Sequence, residues 1–271
     1  MNKNILIIGS TSELAEWTIK ELQKKDWNIW ATSRQVSLIE RNVHDVQLDI
    51  LKEMDFMLLR EKFNNIKFDV IINFAGIAIA GAVEELNEIE LKKQLDVNLF
   101  GLLKIIKYFC PNLTEDGKLI NVSSMASYGI FPFLSPYCMS KASADILLNA
   151  YAIESNKKVV SIRPGAVATK FWENSIKLNS DTLDNKSEKF EHERAFLIKN
   201  AEKNTLKATN PIYVAKKIVK IIELKNPKAV YNIGLDSKLT KLTRFLPQEF
   251  INFLVKIVLK YRISKCENEK K

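Results

Sequence analysis

Apolar and polar positions along this chain follow two alternating rhythms. Asn4 to Ile8 is a short apolar run closed by Gly9, and Leu14 to Leu22 then carries apolar residues at helical spacing, so the first unit reads as strand, turn, helix. The same reading predicts strands over Trp27 to Thr32, Val43 to Leu48 and Asp69 to Asn73, with a helix over Leu51 to Phe63. Further units follow in Leu86 to Leu113, Lys118 to Ser123, Ser135 to Ser155 and Val159 to Arg163. Strands that alternate with helices of this length pair in parallel, because a parallel crossover needs roughly a dozen residues or more. The pattern predicts a doubly wound parallel α/β sheet, a Rossmann fold, in a single domain of residues 1–235.

Two segments break the rhythm. Lys170 to Lys207 is polar and charge-rich, holds no clear strand, and precedes a helix-like run from Pro211 to Leu224. Residues 170–208 therefore read as an insertion that covers a site or forms a mobile loop. Residues 236–271 form a C-terminal extension. From Gln248 to Tyr261 the polar residues Glu249, Asn252, Lys256 and Lys260 fall three to four apart, a narrow stripe on an otherwise apolar amphipathic helix. A helix of about 14 residues is too short for a bilayer, which needs ~20. A wide apolar face with flanking Lys and Arg fits a peripheral membrane contact through residues 248–261 or a cover over a lipophilic substrate. Packing against the same fold or a second subunit is the other use of such a face.

With 271 residues and 46% hydrophobic content, the chain can bury a substantial core. Its net charge of +9 raises the question of polyanionic partners. From Ser237 to Lys271 nine basic residues face three acids, so most of the excess belongs to the C-terminal extension. No zinc-finger spacing, leucine-zipper pattern or aromatic RNA-binding motif accompanies it, which argues against nucleic acid. Three cysteines without CxxC spacing and two histidines support neither a disulfide scaffold nor a metal site. Met1 to Lys3 leads straight into the first strand with no leader-like run, so a cytoplasmic protein is expected.

The chemistry concentrates at the strand ends. In doubly wound sheets the first turn presents backbone amides and a helix N-terminus to a phosphate. Here that turn is Gly9-Ser10-Thr11-Ser12-Glu13-Leu14-Ala15, which lacks the usual later glycines. Ser10 to Glu13 also matches a capping box, Ser at the N-cap and Glu at N3. The second strand ends in Ala31-Thr32-Ser33-Arg34 without the acid that grips ribose hydroxyls in NAD sites. A guanidinium matches a 2′-phosphate through paired hydrogen bonds, so Ser33 and Arg34 point to NADP(H) rather than NAD(H), unless Arg34 is an ordinary surface arginine.

Asn121 to Ala144 holds the richest set. Tyr137 and Lys141 lie four apart in a predicted helix and share a face. A free tyrosine, with a pKa of ~10, is a poor base at neutral pH, and a neighbouring ammonium favours its phenolate. Ser124 ends a predicted strand, placed to hydrogen-bond a reacting oxygen from the other side. A lone Tyr-x-x-x-Lys pair is also what an exposed lysine beside a half-buried tyrosine produces. What sharpens this one is the ordered set of Gly9, Asn73, Asn98, Ser124, Tyr137, Lys141 and Arg163-Pro164-Gly165.

On these motifs the sequence resembles the short-chain dehydrogenase/reductase family, over about Asn4 to Ile233. Asn73-Phe74-Ala75-Gly76 is similar to its NNAG motif, Val97 to Gly101 to its VNxxG segment, Val122 to Ser124 to its serine-bearing strand, Tyr137 to Lys141 to YxxxK, and Arg163 to Thr169 to its PG segment. The resemblance implies an oxidoreductase that moves a hydride between a nicotinamide and a ketone, aldehyde or secondary alcohol. Tyr137 would protonate the oxygen, Ser124 would orient it, Asn98 would hold a water linking Lys141 to solvent, and Lys141 would also bind the nicotinamide ribose. Gly9, Ser10, Thr11 and Leu14 would form the phosphate turn, and Asp49 with Ile50 would meet the adenine. Asn73, Ala75 and Gly76 would pass the adenosine ribose, while Val167 and Thr169, after Pro164 and Gly165, would contact the carboxamide. A homo-oligomer is implied as well. Each residue also has a plainer role: Asp49 as a cap for the Leu51 helix, Asn98 as a cap or kink, Gly76 as a turn.

The chain departs from the pattern at Glu13 and Ala15, where the family carries glycine. Glu13 sets a negative charge near the place of the pyrophosphate. Variants with Glu here are similar to reductases of lipid-linked sugar ketones, which hints at a lipophilic or lipid-linked substrate. A non-catalytic NADP-binding sensor or scaffold on the same fold is the alternative that the altered turn permits.

Overall fold

In the computed structural model, residues 3–35, 42–179 and 187–268 are described. Seven strands form one parallel sheet in the order β3-β2-β1-β4-β5-β6-β7. They are β1 (Lys3–Ile8), β2 (Trp27–Ser33), β3 (Val43–Gln47), β4 (Phe68–Asn73), β5 (Leu113–Val122), β6 (Lys158–Pro164) and β7 (Val230–Ile233). The strand order reverses between β1 and β4, which leaves a crevice beyond their carboxyl ends. The doubly wound fold expected from the alternation is the fold observed.

Side chains alternate across the pleat, and both faces of this sheet are covered. Ile5 and Ile7 of β1, with Ile29, Val70, Ile72 and Ile162, face one layer built on α1 (Glu13–Leu22) and α8 (Pro211–Glu223). Leu6, Ile8, Ile71 and Leu119 face the other layer, where α2 (Glu53–Lys62), α4 (Gly101–Phe109) and α5 (Ser135–Ser155) supply Phe56, Phe109 and Leu148. This explains why the central strands read as unbroken apolar runs rather than as alternating ones.

Several local expectations change. The capping box at Ser10 and Glu13 does not form. The N-cap of α1 is Ser12, whose Oγ accepts from the Ala15 amide at 3.3 Å, and the buried Ser10 hydroxyl donates instead to the Thr32 carbonyl at 3.1 Å. The unit from Leu86 to Leu113 is two helices, α3 (Glu88–Leu95) and α4, joined by a π-helical turn at Asp96–Phe100. The strand expected from Lys118 begins at Leu113.

The insertion holds no strand among its described residues. It carries α6 (Phe171–Leu178) and α7 (Glu191–Lys207). After β7 come α9 (Leu235–Leu242), a single turn at Thr243–Phe245, and α10 (Gln248–Asn268). At 21 residues α10 is longer than its apolar pattern suggested. Among the described residues, no helix is long and apolar enough to cross a membrane.

Candidate active site

The crevice at the carboxyl ends of β1, β4, β5 and β6 opens into one continuous cavity of 1360 Å³. Its first wall is the turn after β1. Gly9 has φ +77°, and a Cβ there would lie 2.7 Å from the Ala75 amide nitrogen, so only glycine lets the two backbones pass. Thr11 and Leu14 line the same wall, as do Ser33 and the exposed Arg34 at the end of β2. Asp49 and Ile50 line it beyond β3, where the Asp49 carboxylate accepts from the Leu51 amide at 3.0 Å. The helix that follows starts only at Glu53, with Lys52 as its N-cap, so Asp49 shapes a turn rather than capping α2.

Beyond β4, Ala75 and Gly76 line the cavity but Asn73 does not. Asn73 is buried, donates to Asn121 at 2.8 Å and accepts the Ala75 amide at 3.0 Å. It fixes the turn that carries Ala75 and Gly76 into the wall. Ser10 is likewise buried away from the cavity, behind the phosphate turn. Asn98 also lies off it, in the π-helical turn. Its Oδ1 accepts from the Ile77 amide at 2.9 Å, and its Nδ2 donates to the Ile77 carbonyl at 3.0 Å and to Ser140 at 2.9 Å. Asn98 thus sits within a π-helical turn rather than at a helix cap, and its amide staples the loop after β4 to α5.

Ser124, Tyr137 and Lys141 meet on the other side of the cavity. Ser124 is extended at the end of β5 and accepts the Ala126 amide at 3.1 Å, which begins a short 3-10 turn. Lys141 Nζ donates to the Val122 carbonyl at 3.0 Å and sits 5.7 Å from the Tyr137 ring centre. Burial pushes the Tyr137 phenol up to about 12, with a hydrogen bond to Ser124 working against it. Burial also lowers the Lys141 ammonium to about 8, opposed by the charge of Asp145. Desolvation by itself therefore opposes the phenolate that the Tyr-Lys spacing was expected to favour. Positive charge at the site must supply what burial takes away.

Sequence reading missed the second tier. Asp145, one helical turn beyond Lys141, is buried and accepts from Ser123 at 3.1 Å and Ser161 at 2.6 Å. The Arg163 Nε lies 2.8 Å from its Oδ2, an ion pair rather than an aligned hydrogen bond, and the Arg163 guanidinium stacks 4.2 Å from the Tyr128 ring centre. The i, i+4 spacing from Lys141 was the available signal. The PG segment also lines the cavity through Pro164, Gly165, Val167 and Thr169. It is held by Asp236, which accepts the Ala166 amide at 2.6 Å, and nothing in the local pattern marks that residue. Phe171 and Trp172 of α6 pack against Tyr137 with ring centres 6.0 and 5.7 Å away, placing α6 over the reacting side chain.

The cavity continues from Tyr137 into an apolar end formed by Ile130, Phe131, Leu197, Leu254 and Val258. Its last wall is therefore α10. Among the described residues no cluster of His, Cys, Asp and Glu suits a metal ion.

The short chain dehydrogenase family model matches residues 3–179, two thirds of the chain. The chain belongs to the short-chain dehydrogenase family. It is an oxidoreductase of that family, and its relatives carry names of the same kind. One is the 3-ketodihydrosphingosine reductase of Bacteroides thetaiotaomicron, 27% identical over 265 residues, covering 93% of this chain and 96% of that one. Another is the probable short-chain type dehydrogenase/reductase VdlC of Helicobacter pylori, 30% identical over 275 residues, covering 94% and 97%. Among solved structures, a short chain dehydrogenase from Burkholderia cenocepacia in complex with NADP superposes with a TM-score of 0.73, covering 94% of this chain and 97% of that one at 17% identity.

Proposed function

We propose that this enzyme is an NADP-dependent reductase of a lipophilic or lipid-linked ketone or aldehyde, running also in reverse on the secondary alcohol. The observation that carries the reading is the single cavity that runs from the Gly9 turn and Arg34, past Tyr137 and Lys141, to an apolar end. The close backbone approach at Gly9 and the wall of Ala75, Gly76, Pro164 and Val167 fit a dinucleotide, and Arg34 fits its 2′-phosphate. NADPH, when bound, supplies the hydride. Ser124 then orients the carbonyl oxygen, and the Tyr137 hydroxyl donates the proton as charge develops on that oxygen. Lys141 provides the ammonium that stabilises the phenolate left behind, and Asp145 keeps that ammonium charged from within the helix. Asn98 acts one step back, by holding Ile77 and Ser140 in place.

The 3-ketodihydrosphingosine reductase relative and the apolar end of the cavity both favour a lipid ketone. The same reading includes a cytoplasmic location, a homo-oligomer and a peripheral contact of residues 248–261 with an anionic membrane. Phe250, Phe253, Ile257 and Tyr261 are exposed on α10 beside Lys256, Lys260 and Arg262, the charge pattern that an anionic leaflet would complement. Replacing Phe250 and Phe253 by serine should abolish co-sedimentation of the full chain with phosphatidylserine vesicles. Equal sedimentation of both proteins, or none for either, rejects the contact.

Tyr137→Phe tests the chemistry. It should lower turnover of a long-chain ketone by at least about a thousandfold while NADPH binding, followed by its fluorescence, changes little. A variant that turns over at the wild-type rate sinks the assignment.

A further inference from the structure

Glu13 stands in the phosphate turn where the family pattern that the sequence resembles has glycine, and the structure gives its carboxylate a partner. Its Oε2 accepts from the backbone amide of Lys170 at 3.1 Å, across 157 residues of sequence. Lys170 is the N-cap of α6 and has no side-chain cap of its own. In a capping box the N-cap amide is satisfied by a glutamate three residues along the same helix. Here Glu13 plays that part from another helix. The opposite end of α6 is anchored separately, through Ser175 and Asn179, which both donate to the Ala78 carbonyl.

We infer that Glu13 is a positioning residue that ties the phosphate turn to the lid over Tyr137, holding the lid at a cost in cofactor affinity. Resting on the proposed NADP chemistry, this assigns the residue two opposed effects. Through Lys170 it sets the start of α6, and so where Phe171 and Trp172 lie against Tyr137. As the first residue of α1 it also places its negative charge at the positive end of the helix dipole, where an incoming phosphate would seek the same field. A residue that only stabilised the fold would not improve one ligand while impairing the other.

The test uses the full chain carrying Glu13→Ala or Glu13→Gln. In the enzyme without nucleotide, hydrogen exchange at the Lys170 amide should quicken about tenfold in the alanine variant and stay near wild type in the glutamine variant, which keeps an acceptor. Both variants should bind NADPH about fivefold more tightly, because both lose the charge. The alanine variant alone should show a raised KM for the carbonyl substrate. Unchanged exchange at Lys170 in the alanine variant, or NADPH binding that is equal or weaker in both, overturns the inference. The exchange arm involves no cofactor, so a wild-type protein that fails to bind NADPH would refute the proposed function while the clamp is still measured.

Discussion

Replacing Lys141 by methionine should stabilise the protein while abolishing its activity. Lys141 is 7% exposed, and burial lowers its ammonium from the ordinary 10.5 to about 8. Holding that charge in the fold at neutral pH therefore costs about 3 kcal/mol. Its hydrogen bond to the Val122 carbonyl returns about 1 kcal/mol, and methionine fills a similar volume without either contribution. The variant should be about 2 kcal/mol more stable at pH 7, a rise in Tm of about 4–8 °C for a chain of this size. The pH dependence fixes the sign. Because the folded pKa lies below the unfolded one, the unfolded chain binds more protons between pH 8 and 10.5, so the wild type gains stability across that window. The advantage of the variant should shrink there and vanish above it. Urea unfolding of both proteins from pH 7 to 10.5 reads this directly. A variant less stable at pH 7, or an advantage that stays constant with pH, would refute the reasoning.

Asp145→Ala leaves the buried Arg163 guanidinium without its carboxylate and should cost about 3–5 kcal/mol; a loss below about 1 kcal/mol in denaturant melts would contradict the buried pair. Gly165→Ala places a Cβ 1.8 Å from the Asp236 carboxylate, which must then release the Ala166 amide. It should cost about 2 kcal/mol or more, and Asp236→Ala in the same chain should recover part of the loss; strictly additive effects would disprove the clash. Arg34→Gln should weaken NADPH by about tenfold or more with NADH little changed, and equal losses for both would remove Arg34 from phosphate recognition.

How much of this was legible in the sequence depended on the range of the interactions involved. The strands and main helices were readable because each buries its own periodic pattern. The Tyr137 and Lys141 pair was readable because both sit on one helix. The helices of the insertion were not. Phe171 and Trp172 have a long-range purpose, covering Tyr137, and their helix of eight residues is too short for its periodicity to stand out in the sequence. Ser10 and Asn73 carry motif letters yet spend their side chains inside, shaping the turns that the cavity uses. Glu13 read as an N-terminal cap because only local partners can be weighed from sequence, whereas its partner is Lys170. Asp236 is legible only in three dimensions, through the carboxylate that leaves no room for a side chain at Gly165.

A π-helical turn fits an extra residue into the helical path, so Asp96–Phe100 sets a phase offset between α3 and α4. Excising one residue from the regular turns of α4, where no wide turn absorbs the change, would rotate everything before it, α3 included, by about 100°. Gln94 would then lose the Ile79 amide and the Ile77 carbonyl, and Asn98 would lose Ile77 as well. The strip from Ile77 to Ile79, which borders the cavity and anchors α6 at Ala78, is therefore indexed by helical phase rather than by its own sequence. A single deletion far from Tyr137 would shift the lid, the loop and the cofactor wall together.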